Sequence, residues 1–329
     1  MARTRQLSIV AALTASSAGT AYGLLIEQSK RARKTIGIPT EQPPQADGLY
    51  RPHGDAPEVT LQSELTLAIL GDSTAAGLGC TTPDELPGVL LARGLAEETG
   101  QAVRLTTYAV VGANSKTLDA QVSAALLGDS GRSPDAAVIL IGANDVTAKL
   151  SVRGSAQRLG TAVARLRQFS TAVVVGTCPD LGSVRPIPQP LRSVVRTWSL
   201  GLAREQGHAV RGGGGHPVAL ADLLAPEFLA RPEVFFSTDQ FHPSAAGYEA
   251  ASAVLLPALC FELGVWSGGP LAVQPLRSAT AEARRPTVRV TAALNRGLNE
   301  RARAGGRWAT TLVRRADVRR LGGGAQTDQ

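Results

Sequence analysis

The chain has 329 residues, 43% of them hydrophobic and 19% charged, which excludes a disordered or fibrous protein and is long enough for one well-buried core. Its net charge of +7 is unevenly spread: residues 1–34 carry +5, residues 277–329 carry +8 and the stretch between them −6, so the basic ends and the mildly acidic body need separate explanations. Cys80, Cys178 and Cys260 lie far apart with no Cys-x-x-Cys pair, which argues against a disulfide framework or a structural zinc site; they read as small buried hydrophobes.

From Leu7 to Ile26 the chain runs twenty residues without a charge, preceded by Arg3 and Arg5 and followed by Lys30, Arg31, Arg33 and Lys34. That length spans a bilayer as a helix, yet serines and threonines dilute the stretch. Three readings fit: a signal peptide cut near Ala18 or Ala21, an uncleaved anchor, or a surface-lying helix. Export or membrane association is therefore expected of residues 1–34, with a cytoplasmic protein as the alternative. Residues 35–60, with Pro39, Pro43, Pro44, Pro52 and Pro57, read as an extended linker.

A domain over 61–265 follows, in which short apolar runs alternate with helical stretches. Strands are expected at 65–70, 103–111, 136–141 and 172–176, and helices at 87–99, 115–127, 155–168, 191–206 and 244–263. The run at 136–141, Ala-Ala-Val-Ile-Leu-Ile, is apolar throughout, as suits a strand covered on both faces. This alternation predicts a three-layer α/β/α fold around a parallel sheet, with functional residues at the carboxyl ends of the strands.

Those strand ends carry four short blocks. Gly71-Asp72-Ser73-Thr74 follows the first strand and can expose a serine hydroxyl in a turn. Gly112-Ala113-Asn114-Ser115 follows the second, and Gly142-Ala143-Asn144-Asp145 the third. Ser237-Thr238-Asp239-Gln240-Phe241-His242-Pro243 precedes the closing helix and sets an acid three residues ahead of a histidine, so that the carboxylate can hold the imidazole tautomer. Each block alone reads equally well as a turn or a helix cap.

Taken in order, the blocks resemble the SGNH hydrolases, or GDSL-type lipases and esterases, over about residues 64–263. The matching residues are Ser73, Gly112, Asn144 and His242. Thr74 stands where a common family form has leucine, which favours the broad superfamily over its lipase branch. The resemblance implies a flavodoxin-like sheet and a Ser73–Asp239–His242 triad. It also implies an oxyanion hole made by the Ser73 and Gly112 N–H groups and the Asn144 side-chain amide. Asp72 and Asp145 are read as local supports. The expected activity is hydrolysis of carboxylic esters, from short acyl esters to lipids and acylated sugars; an idle module of the same fold, binding or scaffolding at the membrane, is the alternative. The chemistry needs no cofactor, and no set of His, Asp and Glu has metal-ligand spacing.

His53, His208 and His216 are expected to be structural or solvated, none lying beside an acid at a strand end. Residues 180–190, with Pro186, Pro188 and Pro190, form either a pocket wall or a stiff surface loop. The tail, 266–329, is rich in Gly, Pro and Arg and includes a basic amphipathic helical pattern over 286–304. It reads either as an anionic-lipid contact or as a solvated tail. The single aromatic of residues 277–329, Trp308, and the lack of a reading module make nucleic acid a poor candidate partner.

Overall fold

The computed structural model describes residues 23–37, 42–52, 64–128 and 131–266. Most of the hydrophobic N-terminal segment, part of the proposed linker with His53, and residues 267–329 with the 286–304 pattern lie outside the described residues.

The helix α1 covers residues 23–36. Six strands follow: β1 (Gly48–Tyr50), β2 (Glu64–Gly71), β3 (Ala102–Thr107), β4 (Ala136–Leu140), β5 (Ala172–Gly176) and β6 (His216–Val218). Between and after them come α2 (Ser73–Ala76), α3 (Pro87–Thr99), α4 (Leu118–Leu127), α5 (Ala143–Thr147), α6 (Val152–Gln168), α7 (Leu191–Gly212), α8 (Leu220–Ala230), α9 (Pro232–Phe235) and α10 (Ala245–Glu262). The strand order is β1-β3-β2-β4-β5-β6, and β2 to β6 are parallel. Without β1 this is the flavodoxin-like order, in which the chain's direction across the sheet reverses between β2 and β4. A ligand crevice belongs at that switch point.

The apolar run in β4 is explained by its two covered faces. Ala136, Val138 and Leu140 join one core with α3 and α10, through Leu91, Leu95, Leu255 and Leu259. Ala137, Ile139 and Ile141 join the other with α4, α6 and α7, through Leu118, Val122, Leu159, Val163 and Val210.

Several elements differ from the sequence expectation. The sheet is mixed, because β1 pairs antiparallel with β3 from inside the stretch read as linker. Short and proline-flanked, it gives no alternating pattern; it is secured by Thr107 N donating to Asp47 Oδ2 at 3.0 Å. The strand expected at 103–111 stops at Thr107. Beyond it, Tyr108 N and Val110 N still donate to Ile69 O and Gly71 O of β2, but the chain turns outward and leaves Val110 and Val111 exposed. The helix expected to end at Gln206 runs on to Gly212, and β6, α8, α9 and α5 were not anticipated, being short or weakly periodic.

Helix α1 packs on the body. Ala32 is buried in a cluster with Val146, Val184 and Ile187. The Gln28 amide donates to Gln189 O at 2.6 Å and accepts from Leu191 N at 3.0 Å, and Arg33 donates to Thr147 O at 3.4 Å. Among the described residues no helix is long and apolar enough to cross a membrane.

Ile139 is fully buried at the centre of β4. Ile139→Ala is expected to lower unfolding free energy by about 2–5 kcal/mol, the cost of a large-to-small change in a packed core, measured by urea denaturation.

Candidate active site

The turn after β2 is built around Gly71. Its φ is +137°, and a Cβ there would lie 1.9 Å from Leu140 O, so only glycine lets β2 bend this closely against β4. Asp72 N donates to Leu140 O at 3.0 Å, and the Asp72 carboxylate caps α2 by accepting from Thr74 N at 2.9 Å. Ser73 is thereby held at the first position of α2, buried, where its N–H has no intrahelical acceptor. Among the described residues the N–H groups of Ser73 and Gly112 have no hydrogen-bond acceptor.

Gly112 has φ +84°, and a Cβ would meet nothing within 4 Å. Glycine here answers to the backbone conformation rather than to crowding. Asn144, in α5, donates one side-chain hydrogen to Ala113 O at 2.9 Å, which ties α5 to the loop of Gly112 and leaves its second hydrogen available. Beside it the buried Asp145 accepts from Ser115 N at 3.2 Å and from Ser115 Oγ, and Arg158 Nε donates to the same hydroxyl at 3.0 Å. Asp72 and Asp145 thus act as a cap and a loop clamp.

The histidine sits in a loop closed on itself. Phe236 pairs with Pro243, and Ser237 N donates to His242 O at 2.8 Å. Inside it, Asp239 Oδ1 accepts from Ser237 Oγ, Phe241 N and His242 N at 2.7, 2.8 and 2.9 Å. Asp239 Oδ2 lies 2.5 Å from His242 Nδ1, and His242 Nε2 lies 2.9 Å from Ser73 Oγ. Burial raises the Asp239 carboxyl, but hydrogen bonds from the imidazole, two amides and Ser237 outweigh it and bring the pKa down to about 2. A carboxylate only accepts, so Nδ1 carries the hydrogen and Nε2 is left as the acceptor for the serine hydroxyl. This arrangement can take a proton from Ser73 and hold the resulting imidazolium.

The sequence-selected residues Ser73, Asp239 and His242 therefore meet in one chain of hydrogen bonds, with Asp72 beneath them and with Asn144 and Asp145 bound to the loop that follows Gly112. Ser237 was missed. Its signal was its place two residues ahead of Asp239, where a hydroxyl can reach the carboxylate.

An apolar cavity of about 80 Å³ opens at the ends of β4 and β5, lined by Thr74, Ile141, Gly142, Phe228 and Phe236 among others. Asp180, Leu181, Ser183 and Val184 line it too, so the first part of the 180–190 stretch is a pocket wall. Asp180 is buried there beside Arg196, at 3.1 Å, and burial raises its carboxyl pKa against the pull of that guanidinium. His208 is exposed on α7. His216 is structural, as expected: it opens β6, away from the strand ends that carry the site, and its Nδ1 lies 3.3 Å from Glu262 Oε1 at the end of α10, an acidic partner that sequence spacing does not reveal. Cys178 and Cys260 are buried; Cys80 is half-buried, its thiol donating to Glu85 O at 3.3 Å. Among the described residues no three His, Cys, Asp or Glu side chains cluster as a metal centre needs.

Residues 69–250 match the GDSL-like Lipase/Acylhydrolase family. The chain is 47% identical over 289 residues to the GDSL-like esterase Rv1075c of Mycobacterium tuberculosis, covering 85% of this chain and 91% of that one. Among solved structures, the lipase/acylhydrolase from Enterococcus faecalis aligns over 58% of this chain and 93% of its own, at 20% identity and a TM-score of 0.46. Phospholipase A1 from Streptomyces albidoflavus NA297 aligns over 61% of this chain and all of its own, at 16% identity and a TM-score of 0.46.

The charge of Asp72, next to the serine, is disfavoured by the fold: burial, against the pull of the Thr74 amide and of His242, raises its pKa from 3.8 to about 6. A carboxyl raised in this way favours the folded state fully below pH 3.8, and that contribution is lost as pH rises through about 6. Asn keeps the capping oxygen without the titration. Asp72→Asn is therefore expected to gain stability relative to the wild type between pH 4 and pH 7, by about 2 kcal/mol, read from paired denaturation curves at the two pH values.

Proposed function

The chain belongs to the GDSL-like lipase/acylhydrolase family, and from that premise we propose that it hydrolyses carboxylic esters through an acyl-enzyme on Ser73. The observation that carries the reading is the continuous relay from Ser73 Oγ to His242 Nε2 and from His242 Nδ1 to Asp239, at 2.9 and 2.5 Å. A serine hydroxyl is a weak nucleophile at neutral pH and needs such a base beside it.

In the first half-reaction Ser73 Oγ attacks the ester carbonyl while His242 takes its proton. The carbonyl oxygen gains the electron pair and is held by the N–H groups of Ser73 and Gly112 and by the second Asn144 side-chain hydrogen. Collapse expels the alcohol, which receives the proton from His242, and leaves the acyl group on Ser73. Water, deprotonated by His242, then attacks this acyl-enzyme, and the carboxylic acid departs as the serine is reprotonated. Asp239 keeps the ring oriented and stabilises it while charged. Short acyl esters, lipid esters and acylated sugars are all within this chemistry.

We also propose that residues 7–26 carry the protein to or across a membrane. Their charge-free length and basic flanks support this. N-terminal sequencing of protein recovered from cell fractions reads it: a start near residue 19 or 22, or an intact N-terminus in the membrane fraction, is expected. An intact N-terminus found in the soluble fraction alone would overturn it.

Ser73→Ala is expected to abolish hydrolysis of p-nitrophenyl acyl esters and labelling by a fluorophosphonate probe, with the melting curve preserved. Retained activity in that variant would sink the acyl-enzyme mechanism.

A further inference from the structure

Two buried glutamines far apart in sequence make the same pattern of bonds at the two strand ends that lead into the site. Gln121, on α4, accepts from Gly71 N at 2.7 Å and donates to Gly71 O at 2.9 Å. Gln206, on α7, accepts from Cys178 N at 2.7 Å and donates to Ile141 O at 2.9 Å. Both side chains are more than nine-tenths buried.

The peptide groups they meet are those the sheet leaves unpaired. β3 ends at Thr107, opposite Ile69, so no β3 residue faces Gly71. Val110 N shares the Gly71 carbonyl, but the Gly71 N–H has Gln121 as its acceptor. β4 and β5 last pair at Leu140 and Gly176 and then part. Ile141 and Cys178 lie just beyond, and the Gln206 amide fills the widening gap between them. A Cβ on Gly142 would approach the Gln206 amide nitrogen to 3.1 Å, so the glutamine also packs against the residue that leads into α5. Gly71 is two residues before Ser73, and Ile141 is three before Asn144.

We infer that Gln121 and Gln206 are positioning residues of the hydrolytic site, each standing in for a missing strand so that the Ser73 and Asn144 turns leave the sheet in a fixed direction. The inference rests on the esterase reading above. An amide suits this place because it offers one donor and one acceptor side by side, as a peptide unit does. A carboxylate offers only acceptors and would set a charge against a carbonyl oxygen.

The test uses full-length Q121E and Q206E, with Q121M and Q206M as second variants, on p-nitrophenyl acetate, with thermal melts and the rate of fluorophosphonate labelling recorded alongside. At pH 8 each Glu variant is expected to lose kcat on the order of 10- to 100-fold, the cost of a small misplacement, with KM changed less than about threefold and melting still well above the assay temperature. Relative to the wild type at each pH, that deficit should shrink towards pH 5, where a protonated carboxyl regains the donor; the Met variants should show no such recovery. Unchanged kcat in folded Glu variants, or in the Met variants if the Glu chains do not fold, overturns the inference, as does a loss that only follows the unfolded fraction. A wild-type chain that neither hydrolyses the ester nor takes the label overturns the esterase reading itself, a result distinct from an active wild type with unaffected variants.

Discussion

Where the parallel strands end, peptide N–H and C=O groups lose their ladder partners in a region too buried for water to replace them, at a cost of about 1–3 kcal/mol for each group left unmet. The elements around the site are arranged to meet that demand. Asp72 N reaches across to Leu140 O, and Thr177 N to Val218 O. The side chains of Gln121, Gln206 and Asn144 take further groups along the same edge. Against this background the unmatched N–H groups of Ser73 and Gly112 stand out. Hydrogen-bonding capacity withheld from the protein at one point is capacity that a substrate oxygen can use.

Two aspartates near the serine show how the number of donors decides the charge. Asp239 has four hydrogen bonds around its two oxygens and stays ionised despite burial. Asp72 is more deeply buried and has mainly the Thr74 amide, so its ionised form is the unfavourable one. The fixed charge thus lies behind the imidazole, on the side away from the serine, where it selects the tautomer. Ser237 contributes by occupying Asp239 Oδ1, which leaves Oδ2 to the ring.

The central sheet and most of its helices were legible because their signals are local and strong. The apolar run of β4 and the helical spacing of 87–99 need no distant partner to be read. The site residues were legible because each follows a strand in a short polar block and the blocks come in a fixed order. What escaped depends on pairings far apart in the chain. β1 is three residues whose partner is more than fifty residues away. Gln121 and Gln206 look like ordinary polar positions on amphipathic helices, and only the sheet's geometry turns them inward. His216 meets Glu262 for the same reason, across forty-six positions that no pattern links.

Helix α1 changes the meaning of the proline-rich stretch behind it. Because Gln28 and Ala32 fix α1 to the body, the chain from residue 37 to β2 is closed at both ends and cannot act as a tether. Added length there would cost only slowly growing loop-closure entropy, about 0.6 kcal/mol per doubling, and would leave α1 seated on the body. Since Ala32 of α1 lies against Val184 and Ile187, the pocket wall that includes Val184 is braced from outside by a helix more than a hundred residues earlier in the chain as well as by its own loop.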